Sequence, residues 1–117
     1  MANILIVDDN FDDLQNMKCI LEKKGYGVSV ATNGAQAIDL AQTESFELFL
    51  VDVKMPTLSG YDLVQLLREK NNSHSKIIFV SILKKKDVEL ENVNDFIQKP
   101  FAEKEFLAKV KSVLGGK

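Results

Sequence analysis

The sequence predicts a three-layer α/β sandwich, with a five-stranded parallel sheet between helices on both faces. Three observations carry this. Five short apolar runs alternate with segments of helical spacing along the 117 residues, the pattern of successive strand-helix-strand crossovers. Ile4-Leu5-Ile6-Val7, Leu48-Phe49-Leu50-Val51 and Ile77-Ile78-Phe79-Val80 are apolar at every position, as in strands buried on both faces. Each of these runs then meets a polar residue, Asp8, Asp52 or Ser81, at the carboxyl edge where open parallel sheets bind ligands.

Taken in order, Asn3–Val7 is the first strand, and Asp8-Asp9-Asn10 follows it. Phe11 to Lys24 has helical spacing, with Phe11, Leu14, Met17 and Leu21 on one face and Cys19 packing on that helix. Gly25 is placed to close it from the C′ position. Val28–Ala31 is a second strand, Thr32-Asn33-Gly34 a turn, and Ala35–Thr43 a helix with Ala37, Ile38 and Ala41 inward. The strand ending at Asp52 comes next, then Met55-Pro56 and the Ser59-Gly60 turn. Gly60–Lys70 is a helix with Val64 and Leu67 in the core and Leu63 and Leu66 flanking. Asn71 to Ser75 is a polar loop containing His74, and Lys76–Ser81 is the fourth strand. Phe96-Ile97 opens a last strand that ends at Lys99-Pro100. Ala102–Leu114 is the final helix, with Phe106, Leu107, Val110, Val113 and Leu114 on one face, and Gly115–Lys117 is a flexible tail. Five strands in one small domain, residues 1–117, favour the flavodoxin-like order 2-1-3-4-5.

The segment before the last strand departs from this regularity. Lys99 lies 18 positions after Ser81. A full crossover takes at least about 10–12 residues, which leaves little for a long helix. Between Lys84 and Asn94 only Val88, Leu90 and Val93 are apolar, and Val88 and Leu90 stand two apart, a poor helical stripe. A fourth helix here is expected to be short, two turns or fewer, or irregular. Lys84-Lys85-Lys86 reads as a solvated run, because Asp87, Glu89 and Glu91 follow.

Composition excludes several classes. The net charge of −2 offers no basic surface for direct nucleic-acid contact. No apolar run approaches the roughly 20 residues of a membrane span, and a single cysteine, Cys19, allows no internal disulfide. The expected location is the cytoplasm. No G-x-G-x-x-G follows the first strand, which disfavours a dinucleotide site.

In the 2-1-3-4-5 order, Asp8, Asp9, Asp52, Ser81 and Lys99 converge on one edge from four strand ends. Three close carboxylates repel one another and call for a cation; their hard oxygens suit Mg²⁺. A lysine and a hydroxyl beside them are what a transferred phosphoryl group needs to offset its charge. A carboxylate can serve as the nucleophile.

From Ile4 to about Leu114 the chain resembles the receiver domain of two-component response regulators, through Asp8-Asp9, Asp52 with Met55-Pro56 and Gly60 after it, Ser81, and Lys99-Pro100-Phe101. The resemblance implies that Asp52 accepts a phosphoryl group from a sensor histidine kinase or a phosphotransfer protein. It implies Mg²⁺ on Asp9, Asp52 and the backbone carbonyl of Lys54, with Asp8 acting mainly through water. Lys99 would bind a phosphoryl oxygen, Ser81 another, and Phe96 would follow Ser81 inward. It also implies a cis Lys99-Pro100 bond and a downstream protein target for the switch. Ile82, where most receivers have a small residue, is expected to narrow the path to Asp52. Two other functions compete: a receiver-like binding module that no longer uses phosphate, and a phosphatase of the haloacid dehalogenase kind. The latter needs a second aspartate two residues after the nucleophile, where this chain has Lys54.

Overall fold

The computed structural model describes residues 2–70 and 74–115. Its five strands are β1 (Asn3–Val7), β2 (Gly27–Ala31), β3 (Leu48–Val51), β4 (Lys76–Ser81) and β5 (Asp95–Gln98). All are parallel, in the order β2-β1-β3-β4-β5. Four helices connect and cover them: α1 (Phe11–Glu22), α2 (Gly34–Thr43), α3 (Gly60–Glu69) and α4 (Glu103–Val113). Boundaries differ from the sequence reading by a residue or two, as helix and strand ends do.

The wholly apolar runs are explained by two cores, one on each face. Alternate residues of a strand point to opposite faces. Leu5, Val7, Phe49, Val51, Ile77 and Phe79 therefore pack with Ala37 of α2 and Leu63, Val64 and Leu67 of α3. Ile4, Ile6, Leu48, Leu50, Ile78 and Val80 pack with Leu14, Met17, Ile20 and Leu21 of α1 and Phe106 and Val110 of α4. Among the described residues, no helix is long and apolar enough to cross a membrane.

The helix ends are set by local chemistry. Asn10, Asn33 and Ser59 each cap a helix, accepting from the backbone N–H of Asp13, Gln36 and Asp62. Gly25, at φ +89°, closes α1, with the Tyr26 N–H donating to the Leu21 carbonyl and the Gly25 N–H to that of Glu22. This paired arrangement needs a left-handed residue at C′.

Three expectations are corrected. Phe11 is 67% exposed: it is the first residue of α1 and belongs to neither apolar core. Cys19 is exposed rather than packed, because Met17, Ile20 and Leu21 occupy the inward face. Leu63 is fully buried and belongs to the core, not its flank. Gly115, at φ +75°, donates its N–H to the Ser112 carbonyl at the end of α4. Gly116, Lys117 and the Asn71-Asn72-Ser73 part of the polar loop lie outside the described residues.

Between β4 and β5 the only helical element among the described residues is a 3-10 turn, Lys85–Asp87, in line with the short or irregular helix expected there. Val88 is buried, and Leu83, Leu90 and Val93 pack beside it on the α3 face of the sheet. Side chains hold the segment where helix hydrogen bonds do not. Arg68 donates to the Asn92 carbonyl from Nε at 3.1 Å and Nη2 at 2.8 Å, and the Tyr61 hydroxyl accepts from the Glu89 N–H at 3.1 Å. Asn92 sits at φ +68°. With so few backbone bonds, amides from Lys85 to Val93 should exchange with solvent much faster than those of Phe106 to Val110 in α4. Hydrogen exchange read by mass spectrometry checks this; equal, slow protection of the two segments would contradict it.

Candidate functional site

Three of the expected site residues are each placed by one more rung of the sheet. Just past β1, the Asp8 N–H donates to the Ala31 carbonyl at 3.1 Å; past β3, that of Asp52 to Val7 at 2.9 Å; past β5, that of Lys99 to Ser81 at 2.8 Å. Their backbones are thus as fixed as the strands. The start of α3 closes on the same point. A Cβ on Gly60 would collide with the Asp52 carbonyl oxygen and lie 2.8 Å from the Cα of Val53, so this position admits glycine alone. The Lys99-Pro100 peptide bond is cis, as the resemblance implies.

Four of these side chains come together. Asp8, Asp9 and Asp52 each present a carboxylate oxygen, all within 4.8 Å of one another. Asp8 and Asp52 are buried, whereas Asp9 is exposed. The Lys99 Nζ lies 2.7 Å from Asp8 Oδ2 and 3.7 Å from Asp52 Oδ2. Ser81 is fully buried at the end of β4, its hydroxyl accepting from the Leu83 N–H at 3.2 Å. Phe96, in register with Phe79, is already buried. Lys54 is exposed. Ile82 stands 64% exposed directly after Ser81.

One member of the site escaped the sequence reading. Asp13, in the first turn of α1, accepts from Lys99 Nζ at 2.8 Å. No local spacing marks it: Asp9 precedes the Asn10 cap and lies outside the helix, and Lys99 is 86 positions away.

The electrostatics follow from burial. Desolvation, then the charge of Asp8, raise the Asp52 carboxyl from 3.8 to about 7, against the weaker pull of Lys99 and the backbone of Lys54. Burial on its own would lower the Lys99 ammonium. The bonds to Asp13 and Asp8, with the charges of Asp52 and Asp8, outweigh it and hold the pKa above the usual lysine value. The site is short of positive charge. Its donors are hard oxygens, close together, with exposed Asp9 leaving a side open to water, so the residues present fit Mg²⁺.

Comparison with known proteins agrees with this geometry. The family model described as the response regulator receiver domain matches residues 4–111. The transcriptional regulatory protein CpxR of Escherichia coli is 34% identical over 97% of this chain, and the chain spans 50% of CpxR. Protein PilH of Pseudomonas aeruginosa is 34% identical over 99% of this chain and all of its own length. The solved response regulator TrrA of Thermotoga maritima, in complex with Mg²⁺-BeF, superimposes with a TM-score of 0.87. It is 28% identical, and the match covers 97% of this chain and 99% of TrrA.

The raised Asp52 pKa has a stability consequence in metal-free protein. Between 3.8 and about 7 the folded chain holds a proton that the unfolded chain has released. Stability therefore falls as pH rises through that window, and the full cost of the ionised carboxylate is present above it. Asp52→Asn removes this cost. With a chelator present the variant should melt higher than wild type above about pH 7, the gap closing towards 3.8. Thermal melts across pH check it; a gap independent of pH would contradict it.

Proposed function

Because this chain belongs to the response regulator receiver family, we propose that it is a signalling switch set by a phosphoryl group on Asp52. The acidic cluster is consistent with Mg²⁺-dependent phosphoryl acceptance. The observation that carries the reading is the company Asp52 keeps. A buried carboxylate stands with those of Asp8 and Asp9 within 4.8 Å, and with an ammonium 3.7 Å away. Such an arrangement stores uncompensated negative charge, which structure alone does not require.

In this reading Asp9, Asp52 and the Lys54 carbonyl hold the cation, with Asp8 reaching it through water. Mg²⁺ bound there supplies positive charge against the oxygens of the transferring group. The solved complex of TrrA with Mg²⁺-BeF supports this. A carboxylate oxygen of Asp52 attacks the donor's phosphorus, the bond to the donor's leaving atom breaks, and an acyl phosphate forms. Lys99 takes one phosphoryl oxygen. The Ser81 hydroxyl gives up the Leu83 amide and donates to another, with buried Phe96 repacking behind it. The donor is a sensor histidine kinase or a phosphotransfer protein, and the output is binding to a downstream protein. The place of action is the cytoplasm.

Incubation with Mg²⁺ and acetyl phosphate tests the reading by intact mass. Wild type should gain one phosphoryl group and Asp52→Asn none. Continuous turnover of the phosphodonor would point to the phosphatase instead, and no mass gain to a phosphate-independent binding module. A second outcome concerns Ile82. Its branched side chain stands directly after Ser81, so Ile82→Ala should quicken both uptake and loss of the phosphoryl group. Unchanged rates would remove Ile82 from the account.

A further inference from the structure

Lys99 is shared unequally. An ammonium has three donors. It gives one to Asp8 Oδ2 at 2.7 Å and one to Asp13 Oδ2 at 2.8 Å. At 3.7 Å from Asp52 Oδ2 it is beyond hydrogen-bond distance of the acceptor carboxylate. Asp13 is held in place from its own backbone, because its N–H donates to the Asn10 cap at 2.9 Å. The Asp13 side chain is 37% exposed against 8% for Lys99, so the pair joins a buried ammonium to the rim of the site. Asp12, its neighbour in the same turn, is exposed and is not among the carboxylates that Lys99 meets among the described residues.

We propose that Asp13 is a positioning residue, a latch that holds the Lys99 ammonium towards α1 in the resting protein. An anion on Asp52 must draw that ammonium into a charge-assisted bond of roughly 2.8 Å, which it does not make with Asp52 in the resting protein. Asp8 can stay bonded through the movement, since it belongs to the same buried cluster. Asp13 competes for the same ammonium and must share or release it. The latch thereby lowers the resting affinity of the site for a phosphoryl-like anion. It rests on the reading of Asp52 as the acceptor.

The test is calorimetric titration of beryllium fluoride, a phosphoryl mimic, into the full chain at saturating Mg²⁺. Asp13→Asn should bind it roughly fivefold more tightly than wild type, the scale of one partly exposed ion pair. Asp13→Glu, which keeps the charge, should stay close to wild type, and so should Asp12→Asn. Mg²⁺ affinity before the anion is added separates the latch from general damage. A loosened α1 would weaken both ligands, whereas release of Lys99 strengthens the anion alone. Equal anion affinity in wild type and Asp13→Asn would overturn the latch and leave the acceptor reading standing. An equal gain in Asp12→Asn would show a diffuse field effect and also overturn it. No binding by wild type would overturn the acceptor reading, and the latch with it.

Discussion

The constraint on which the site depends is a shortage of positive charge at one edge of the sheet. Asp8, Asp9, Asp13 and Asp52 lie there with one buried ammonium, that of Lys99. Two of the carboxylates, Asp8 and Asp52, are buried. Desolvation by burial, then the charge of Asp8, raise the Asp52 carboxyl to about 7 in the absence of a cation. A protein selected for stability alone would replace such a cluster with apolar residues. In the proposed function the cluster is a place prepared for incoming charge, that of a divalent cation and of a phosphoryl group.

The rest of the fold keeps that cluster from relaxing. Carboxylates that repel one another would swing apart if their backbones were free. Here Asp8, Asp52 and Lys99 are each tied by a further rung of the sheet, and both faces of that sheet are packed by separate apolar cores. Gly60 lets α3 begin against the Asp52 carbonyl, and the Asn10 cap fixes the turn that presents Asp13. The segment after Ser81 is different in kind. It is held by Arg68, Tyr61 and a few apolar contacts rather than by a helix, so rearrangement there costs little ordered structure. A change at Ser81 can reach this segment through the Leu83 amide its hydroxyl now holds.

Much of this was legible in the sequence because strand ends are marked sharply. Asp8, Asp52, Ser81 and Lys99 each follow or close an apolar run, and the sheet order then brings them together without further information. The irregular segment was legible for a related reason: Val88, Leu90 and Val93 do not make a helical stripe, and they pack without one. Phe11 and Leu63 were misplaced because periodicity assigns a face but not how deeply each residue on it is buried. Phe11 lies outside both apolar cores, whereas Leu63 is fully buried in one of them. Asp13 and Arg68 were missed because their partners, Lys99 and the Asn92 carbonyl, are distant in sequence. No local pattern announces a bond that only the tertiary fold creates.

What most needs testing is whether the three carboxylates of Asp8, Asp9 and Asp52 form a site completed by a divalent cation. Calorimetric titration of Mg²⁺ alone into the wild-type chain and into Asp9→Ala addresses it most directly, since Asp9 is the exposed member and its loss should leave the core intact. One ion per wild-type chain, with clearly weaker binding in the variant, is the predicted result. No binding by wild type, or the same affinity in both proteins, would contradict the account.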